Sequence, residues 1–287
     1  MRACEKFSII HAMRNIIFAV AVACVVAGCA TKPIEQTSVR FLHWSVSHFG
    51  DGTCSVASVP ESEGKGMAAK YVKFLDSVDA DVVGITAYSE DFTTNGSIKA
   101  STALFKGYEK SVGPAKGDVC NAIFFKAAKA SKIEEKDVFF ESHFEDTYYK
   151  AVKLNVLGAP VWFVQTHLDS NTYLAGHHKD REEQMKKLIE DFGDESHVVI
   201  AGDFRVGVRV PGKRCFPAPE EYKVFEEAGF ELVNLFGTGT YPVESPIQPL
   251  DNIIVKGVGI SEVRFLDADH LSDHLAISCK LSIYDAE

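Results

Sequence analysis

The stretch Leu271-Ser272-Asp273-His274 precedes the last apolar segment of the chain and ends in a carboxylate and an imidazole. Similar chemistry occurs in Gln165-Thr166-His167-Leu168-Asp169, in Ala201-Gly202-Asp203-Phe204 and in Pro249-Leu250-Asp251-Asn252. A fifth apolar run, Asp81-Val82-Val83-Gly84-Ile85, lies far upstream. Each of these runs has the length of a strand, so the acids and histidines are predicted at strand ends. Acids can hold a divalent cation and histidines can move protons, so convergence of these ends would build a phosphoester-cleaving site.

The predicted strands outnumber the predicted helices, and several strands are apolar at every position. Strands of that kind are buried on both faces, as in packed sheets with helices outside. Residues 149–156 and 161–167 predict a hairpin, while residues 67–78 and 175–192 carry apolar residues at helical spacing. The expected fold is therefore α/β, a four-layer α/β/β/α sandwich of two packed mixed sheets flanked by helices.

The first residues are expected to lie outside this fold. Basic side chains precede an apolar run over residues 16–26, which is too short to span a bilayer permanently. The run ends in Val26-Ala27-Gly28-Cys29, and a polar tether containing proline follows. This pattern resembles the bacterial lipobox, in which the cysteine is lipidated and becomes the first mature residue. An ordinary signal peptide that happens to contain a cysteine is the alternative.

These observations predict three segments. Residues 1–28 form a lipoprotein signal peptide, residues 29–37 a lipidated tether attached through Cys29, and residues 38–287 one domain. The translation start is either Met1 or Met13. We therefore expect a protein of the bacterial cell envelope, held at the membrane by lipid on its periplasmic or surface side.

Charge and cysteine content limit the partners. The formal net charge is −10, and removal of residues 1–28 would make it more negative. A chain of this charge lacks the basic surface that strong non-specific nucleic-acid binding needs. Four cysteines would remain besides Cys29, and they could form two disulfides in any of three pairings or stay as buried thiols. These cysteines are Cys54, Cys120, Cys215 and Cys279.

Taken in order, the fragments resemble the endonuclease/exonuclease/phosphatase superfamily, which includes deoxyribonucleases, abasic-site endonucleases, neutral sphingomyelinases and inositol-polyphosphate phosphatases. The resemblance covers about residues 38–284. It implies that His167 binds or protonates the phosphoryl group and that Asp203 orients and deprotonates the attacking water. It also implies that Asp251 fixes the tautomer of His274, which then contacts phosphate.

The resemblance further implies a divalent cation, Mg²⁺ or Mn²⁺, on Asp273 and Asp203. Three positions depart from the family pattern: Ser45 replaces a metal-binding asparagine, Ala87 replaces the principal metal-binding glutamate, and Arg205 replaces the asparagine of Gly-Asp-Phe-Asn. A methyl group cannot coordinate a hard cation, so metal binding is expected to be weak.

Two interpretations of these losses stay open. A loop rearrangement could bring Glu90 or Asp91 into the cation site. Alternatively, Arg205 lies in the cleft, supplies positive charge and binds phosphate through its guanidinium. A third, simpler outcome is that Arg205 is a solvated loop residue paired with an acid.

The leading functional hypothesis is a divergent metal-dependent hydrolase of phosphodiesters or phosphomonoesters that works outside the cytoplasm. Its substrate would be a phosphate-containing small molecule, a lipid or a nucleotide, and the protein would be a monomer. The alternative is an impaired or inactive relative that serves as a surface-anchored binding protein, because loss of a metal ligand removes much transition-state stabilisation.

Overall fold

A computed structural model describes residues 37–49, 59–114, 120–141, 147–169, 177–206, 219–234 and 237–284. The strands in chain order are β1 (Thr37–Ser45), β2 (Val82–Thr86), β3 (Tyr108–Val112), β4 (Ala122–Lys126), β5 (Ala130–Phe139), β6 (Tyr148–Val156), β7 (Ala159–His167), β8 (Val198–Asp203), β9 (Glu231–Leu232), β10 (Asp251–Lys256), β11 (Val258–Leu266) and β12 (Ala276–Ile283). The helices are α1 (Glu61–Val78), α2 (Ala100–Ala103), α3 (His177–Phe192) and α4 (Pro219–Glu227), with a 3₁₀ turn at Ser47–Phe49.

The strands form two mixed sheets. The first has the order β11-β12-β1-β2-β4-β3, and the second has the order β5-β6-β7-β8-β10-β9. Parallel pairing occurs between β1 and β2 and between β7 and β8, and the other pairs are antiparallel. The predicted hairpin is confirmed as β6 and β7.

Three apolar layers hold the molecule together. The layer between the sheets contains alternate residues of the central strands, among them Phe41, Phe163 and Ile253. A second layer, with Trp44 and Tyr71, packs α1 against the first sheet. A third, with Leu188 and Phe225, packs α3 and α4 against the second sheet. Fully apolar strands are needed where both faces are covered in this way, so the predicted four-layer sandwich is confirmed.

One helix suggested by the sequence is much shorter in the structure, and the expected N-terminal segments fall outside the described residues. The sequence of residues 97–110 is compatible with a helix, but only Ala100–Ala103 form one before the chain turns at Gly107, whose φ is +87°, and enters β3. Glycine tolerates this left-handed conformation at little cost, so it ends the helical pattern. The chain up to residue 36, including Cys29 and the expected signal peptide and tether, lies outside the described residues.

Cys120 and Cys279 are free buried thiols, while Cys54 and Cys215 lie outside the described residues. Among the helices that the structure describes, none combines the length and the apolar character needed to cross a membrane.

Candidate active site

Four of the predicted site residues meet where strands of both sheets end. His167 and Asp203 are the last residues of the parallel strands β7 and β8 and lie side by side. Asp251 opens the antiparallel strand β10 directly opposite Asp203. His274, which precedes β12 of the other sheet, places Nδ1 2.7 Å from Asp251 Oδ2. Residues more than one hundred positions apart therefore share one pocket because strand register brings them together.

Asp251 and His274 form a buried ion pair. Burial alone would lower the pKa of His274, but the charge and hydrogen bond of Asp251 raise it to about 9. Burial likewise opposes the charge on Asp251, and the neighbouring histidines nevertheless hold the pKa of its carboxyl well below the usual range. At neutral pH the ring is an imidazolium that donates from Nδ1 to the carboxylate. The aromatic ring of Tyr241 lies against it, with the two ring centroids 4.9 Å apart.

Sequence reasoning missed His43 and Gln165. His43 has no exposed surface, and its Nε2 lies 3.1 Å from Asp251 Oδ1. Its Nδ1 lies 2.8 Å from Nε2 of the buried Gln165 on β7. A histidine and a glutamine inside otherwise apolar strands were the available signals, because buried polar side chains require partners.

Arg205 lies in the cleft and contacts two of the predicted catalytic residues. Its backbone N–H donates to Asp203 Oδ1 over 3.0 Å, and its side-chain Nε lies 3.0 Å from Asp203 Oδ2. Nε and Nη2 also lie 3.1 and 2.9 Å from His167 Nε2. Since a guanidinium only donates, His167 Nε2 is an acceptor here and the ring proton is on Nδ1. Arg205 is thus paired with an acid, as the simplest interpretation expected, but its side chain is only 26% exposed and lies in the cleft.

Asp203 is fully buried beside these charges. Burial raises the pKa of its carboxyl above the usual value, and the guanidinium of Arg205 opposes that shift. The carboxylate of Asp251 on the adjacent strand raises the pKa of Asp203 further. A carboxylate with a raised pKa is a stronger base than an exposed one, which suits it to accept a proton from water.

Asp273 lies at the rim of the pocket. Its Oδ1 accepts a hydrogen bond of 2.5 Å from Ser47 Oγ and lies 4.0 Å from His274 Nε2. The neighbouring Ser272 donates to the carbonyl oxygen of Ser45 over 2.6 Å, which ties the end of β1 to this turn. Two hydrogen bonds therefore hold the Ser-Asp-His turn to the end of β1 and to the 3₁₀ turn that follows it.

Ala87 is buried just after β2 and has a left-handed φ of +51°. Neither carboxylate that could have replaced the missing glutamate takes its place. Glu90 accepts hydrogen bonds from Tyr88 and Ser101, and the exposed Asp91 pairs with Lys99. Of the two interpretations left open by the sequence, the loop rearrangement that would bring Glu90 or Asp91 into the cation site does not occur in this structure.

Asp203, Asp251 and His274 form a group that could hold a metal ion, because one ligand atom from each lies within 4.8 Å of the others. Asp273, which was expected to be a ligand, is not one of the three. The donor set fits in part: carboxylate oxygens suit Mg²⁺ and Mn²⁺, whereas His274 is an imidazolium at neutral pH and would have to lose a proton before a ring nitrogen could bind a cation. Both carboxylates also have cationic partners already, Arg205 and His274. A cation would compete with these ion pairs and would bind weakly.

No family model matches the sequence, and no curated protein matches it. Solved structures do share the fold. ANGEL2, described as a 2′,3′-cyclic phosphatase and solved with adenosine-2′,3′-vanadate, is similar with a TM-score of 0.65 and 15% identity, covering 87% of this chain and 97% of that one.

TDP2 from D. rerio, solved with a single-strand DNA product, has a TM-score of 0.62 and 14% identity over 85% of this chain and 98% of that one. An endonuclease/exonuclease/phosphatase family protein from Bacteroides thetaiotaomicron has a TM-score of 0.59 and 17% identity over 87% of this chain and 99% of that one. The TM-scores show a common fold over nearly the full length of each of these structures, and at identities this low the similarity shows the fold alone.

Proposed function

We propose, from the premise that the chain has the fold of the endonuclease/exonuclease/phosphatase proteins, that it is a phosphoester hydrolase. One observation carries the proposal. A buried carboxylate, Asp203, lies beside the cationic groups Arg205 and His274 at the meeting point of the strand ends. A phosphoester substrate needs this combination, a base for water and positive charge for the phosphoryl oxygens.

Arg205 and His274 would bind the phosphoryl group. The imidazolium of His274 uses Nδ1 for Asp251 and keeps the N–H at Nε2 for an anion. Arg205 carries five donors in a planar fork, which suits two phosphate oxygens at once. His167 accepts from this guanidinium and so orients it. When the guanidinium turns to substrate, His167 is left beside the phosphoryl group, where it would contact an oxygen after taking up a proton.

Asp203 would orient and deprotonate the attacking water. The oxygen of that water forms the new bond to phosphorus, its proton passes to the Asp203 carboxylate, and the bond to the leaving oxygen breaks. The raised pKa of Asp203 strengthens it as a base, and its hydrogen bond from the Arg205 backbone keeps the carboxylate in place.

A weakly held divalent cation, Mg²⁺ or Mn²⁺, is part of the proposal. The carboxylates of Asp203 and Asp251 are its best ligands, with His274 beside them. When bound, the cation would stabilise negative charge on the phosphoryl oxygens. Ala87 and Ser45 offer it neither the carboxylate nor the amide oxygen of the family pattern, which limits its affinity.

The proposed substrate is a small phosphate-containing molecule, a lipid or a nucleotide. Structures with this fold have been solved with single-strand DNA and with an adenosine vanadate ligand, which supports a phosphate-type ligand in general. The net charge of −10 argues against strong non-specific binding to nucleic acid. We further propose a monomer in the cell envelope, attached through lipid on Cys29, on the basis of the lipobox pattern.

The test is hydrolysis of an aryl phosphodiester and an aryl phosphomonoester with Mn²⁺, with Mg²⁺ and with chelator. Asp203→Asn keeps the size of the side chain but removes the base, so the rate should fall about 10²–10⁴-fold. Asp91→Asn, an exposed acid outside the pocket, should leave it unchanged. If the native protein hydrolyses neither substrate faster than Asp203→Asn does under any of these conditions, the hydrolase proposal is wrong.

The inactive-relative alternative has its own discriminating experiment. Ser45→Asn, Ala87→Glu and Arg205→Asn would together restore the family pattern. If the triple variant hydrolyses the diester while the native protein does not, the native chain is a binding protein whose site is catalytically inactive. If the native protein already hydrolyses the diester and the triple variant only changes that rate, the result supports the hydrolase proposal.

A further inference from the structure

The side chain of His43 connects the two sheets inside the molecule. It lies on β1 of the first sheet and contacts Gln165 on β7 and Asp251 on β10, both in the second sheet. All three side chains have no exposed surface. A polar ring in an apolar layer costs free energy unless its nitrogens are bonded, and both nitrogens of His43 have partners.

The partners of His43 determine its proton position. An ionised carboxylate only accepts, so the ring nitrogen facing Asp251 Oδ1, Nε2, must carry the proton. The Gln165 amide then donates to the bare Nδ1. On the other oxygen, Asp251 Oδ2 accepts from His274 Nδ1. The Asp251 carboxylate is therefore held between the N–H groups of His43 and His274, and Gln165 orients the ring of His43.

We propose that His43 is a positioning residue for phosphoester hydrolysis, acting on His274 through Asp251; this inference rests on the proposed function. The terminal torsion of an aspartate is broad, so a single hydrogen bond to His274 leaves the carboxylate plane free to turn. The second hydrogen bond, from His43 to the opposite oxygen, fixes that plane. The Nε2 side of His274 is thereby aimed steadily at the place where a phosphoryl group binds.

The surrounding backbone makes room for this arrangement. A Cβ on Gly84 would come within 2.1 Å of Gln165 Oε1 and 3.0 Å of its Cδ, so glycine on β2 leaves the space that the amide fills. Gln165 precedes His167 by two residues on β7, which places both side chains on the same face of the strand. The buried network therefore links the strand of His167 to the pair formed by Asp251 and His274.

The first test compares His43→Ala, His43→Gln and Cys279→Ala. Removal of the ring should lower kcat for the aryl diester about 10-fold or more, with little change in KM, because Arg205 still binds phosphate. A glutamine amide can donate to Asp251 Oδ1, so His43→Gln should recover part of that loss. Cys279→Ala removes a buried side chain from the same layer between the sheets without touching Asp251 and should leave kcat unchanged.

The second test needs no turnover and separates this inference from the proposed function. In chelated, substrate-free protein, the proton shared by His274 Nδ1 and Asp251 is followed by NMR with labelled histidine. Its resonance should shift and broaden in His43→Ala, recover in His43→Gln and stay in place in Cys279→Ala. An unchanged resonance in His43→Ala would overturn the positioning role, whether or not the native protein hydrolyses the diester. A change confined to KM, with kcat preserved, would overturn it as well.

Discussion

At the scale of single residues, the pocket obtains its positive charge from side chains. Arg205 and His274 each pair with a buried carboxylate, and together they surround the place where a phosphoryl group would bind. Ala87 and Ser45 supply no strong ligand to a cation on the opposite side. Part of the positive charge that the proposed phosphoryl site needs is therefore supplied by these two side chains.

The pair of Asp251 and His274 predicts a pH-dependent stability. The pKa of His274 rises from 6.5 in the unfolded chain to about 9 in the folded protein. A raised folded-state pKa stabilises the protein fully below pH 6.5, and this contribution is lost as the pH rises through about 9. The free energy of unfolding should therefore fall over that interval in the native protein.

Urea denaturation in chelated buffer at pH values across this interval measures the effect. His274→Gln lacks the titrating ring, so the stability difference between it and the native protein should shrink steadily as the pH increases. Parallel pH profiles of the two proteins would contradict the raised pKa. Because Asp251 keeps a low pKa, its own protonation does not interfere in this range.

At the scale of elements, the close pairing of β7 and β8 sets the geometry of the site. The register that puts His167 opposite Asp203 depends on Gly202, where a Cβ would lie 2.1 Å from the backbone oxygen of Thr166. Backbone atoms cannot turn aside as a flexible side chain can. A side chain at this position would therefore force the two strands apart beside His167 and Asp203.

Gly202→Ala should destabilise the fold by about 1–3 kcal/mol and lower hydrolysis, because the strain falls on the strand ends of the site. Gly66→Ala in α1 is the matched control, since a Cβ there meets nothing within 4 Å. That change should instead stabilise the protein by about 0.5–1 kcal/mol through helix propensity. Denaturation midpoints and the diester assay measure both effects. If Gly202→Ala and Gly66→Ala are equally stable, the close pairing of β7 and β8 does not require glycine at position 202.

At the scale of the whole molecule, two sheets bring their strand ends to one edge and leave the opposite edge to other contacts. Lys126, for example, pairs with Asp79 and Asp81 at the start of β2, far along the strand from Ala87. The predicted site residues lie at the other end of these strands and are almost fully buried. Asp203 and Asp251 have no exposed surface, and His167 and His274 are 8% and 4% exposed.

The proposed attachment to a membrane gives a further prediction for the full-length protein. When the chain is expressed in a bacterium, the native protein should partition with the membrane fraction and carry labelled fatty acid. Cys29→Ser should lose the label and appear in the soluble envelope fraction, because the acylated side chain is gone. Cys54→Ser controls for loss of a thiol in general. Label retained in Cys29→Ser would show that lipid is attached elsewhere.

Sequence patterns alone were sufficient for the four-layer sandwich and for four residues of the pocket. Strands that are apolar at every position must be covered on both faces, and acids or histidines that end such strands are costly to bury without partners. His167, Asp203, Asp251 and His274 were predicted to converge because each lies at an end of an apolar run, in an order that resembles the endonuclease/exonuclease/phosphatase superfamily, and the structure brings them together. Strand β5 was missed, because its mostly exposed and charged residues carry no apolar alternation.

Tertiary structure alone decided how the departures from the family pattern are resolved. Whether Arg205 points to solvent or to Asp203 depends on the left-handed turn that follows β8, and local sequence does not encode its direction. His43 joined the site only through contacts with Gln165 and Asp251, which are more than a hundred residues away. Sequence determines which side chains need partners, since burial follows from local apolar pattern. Only the register of two packed sheets determines which partners they meet.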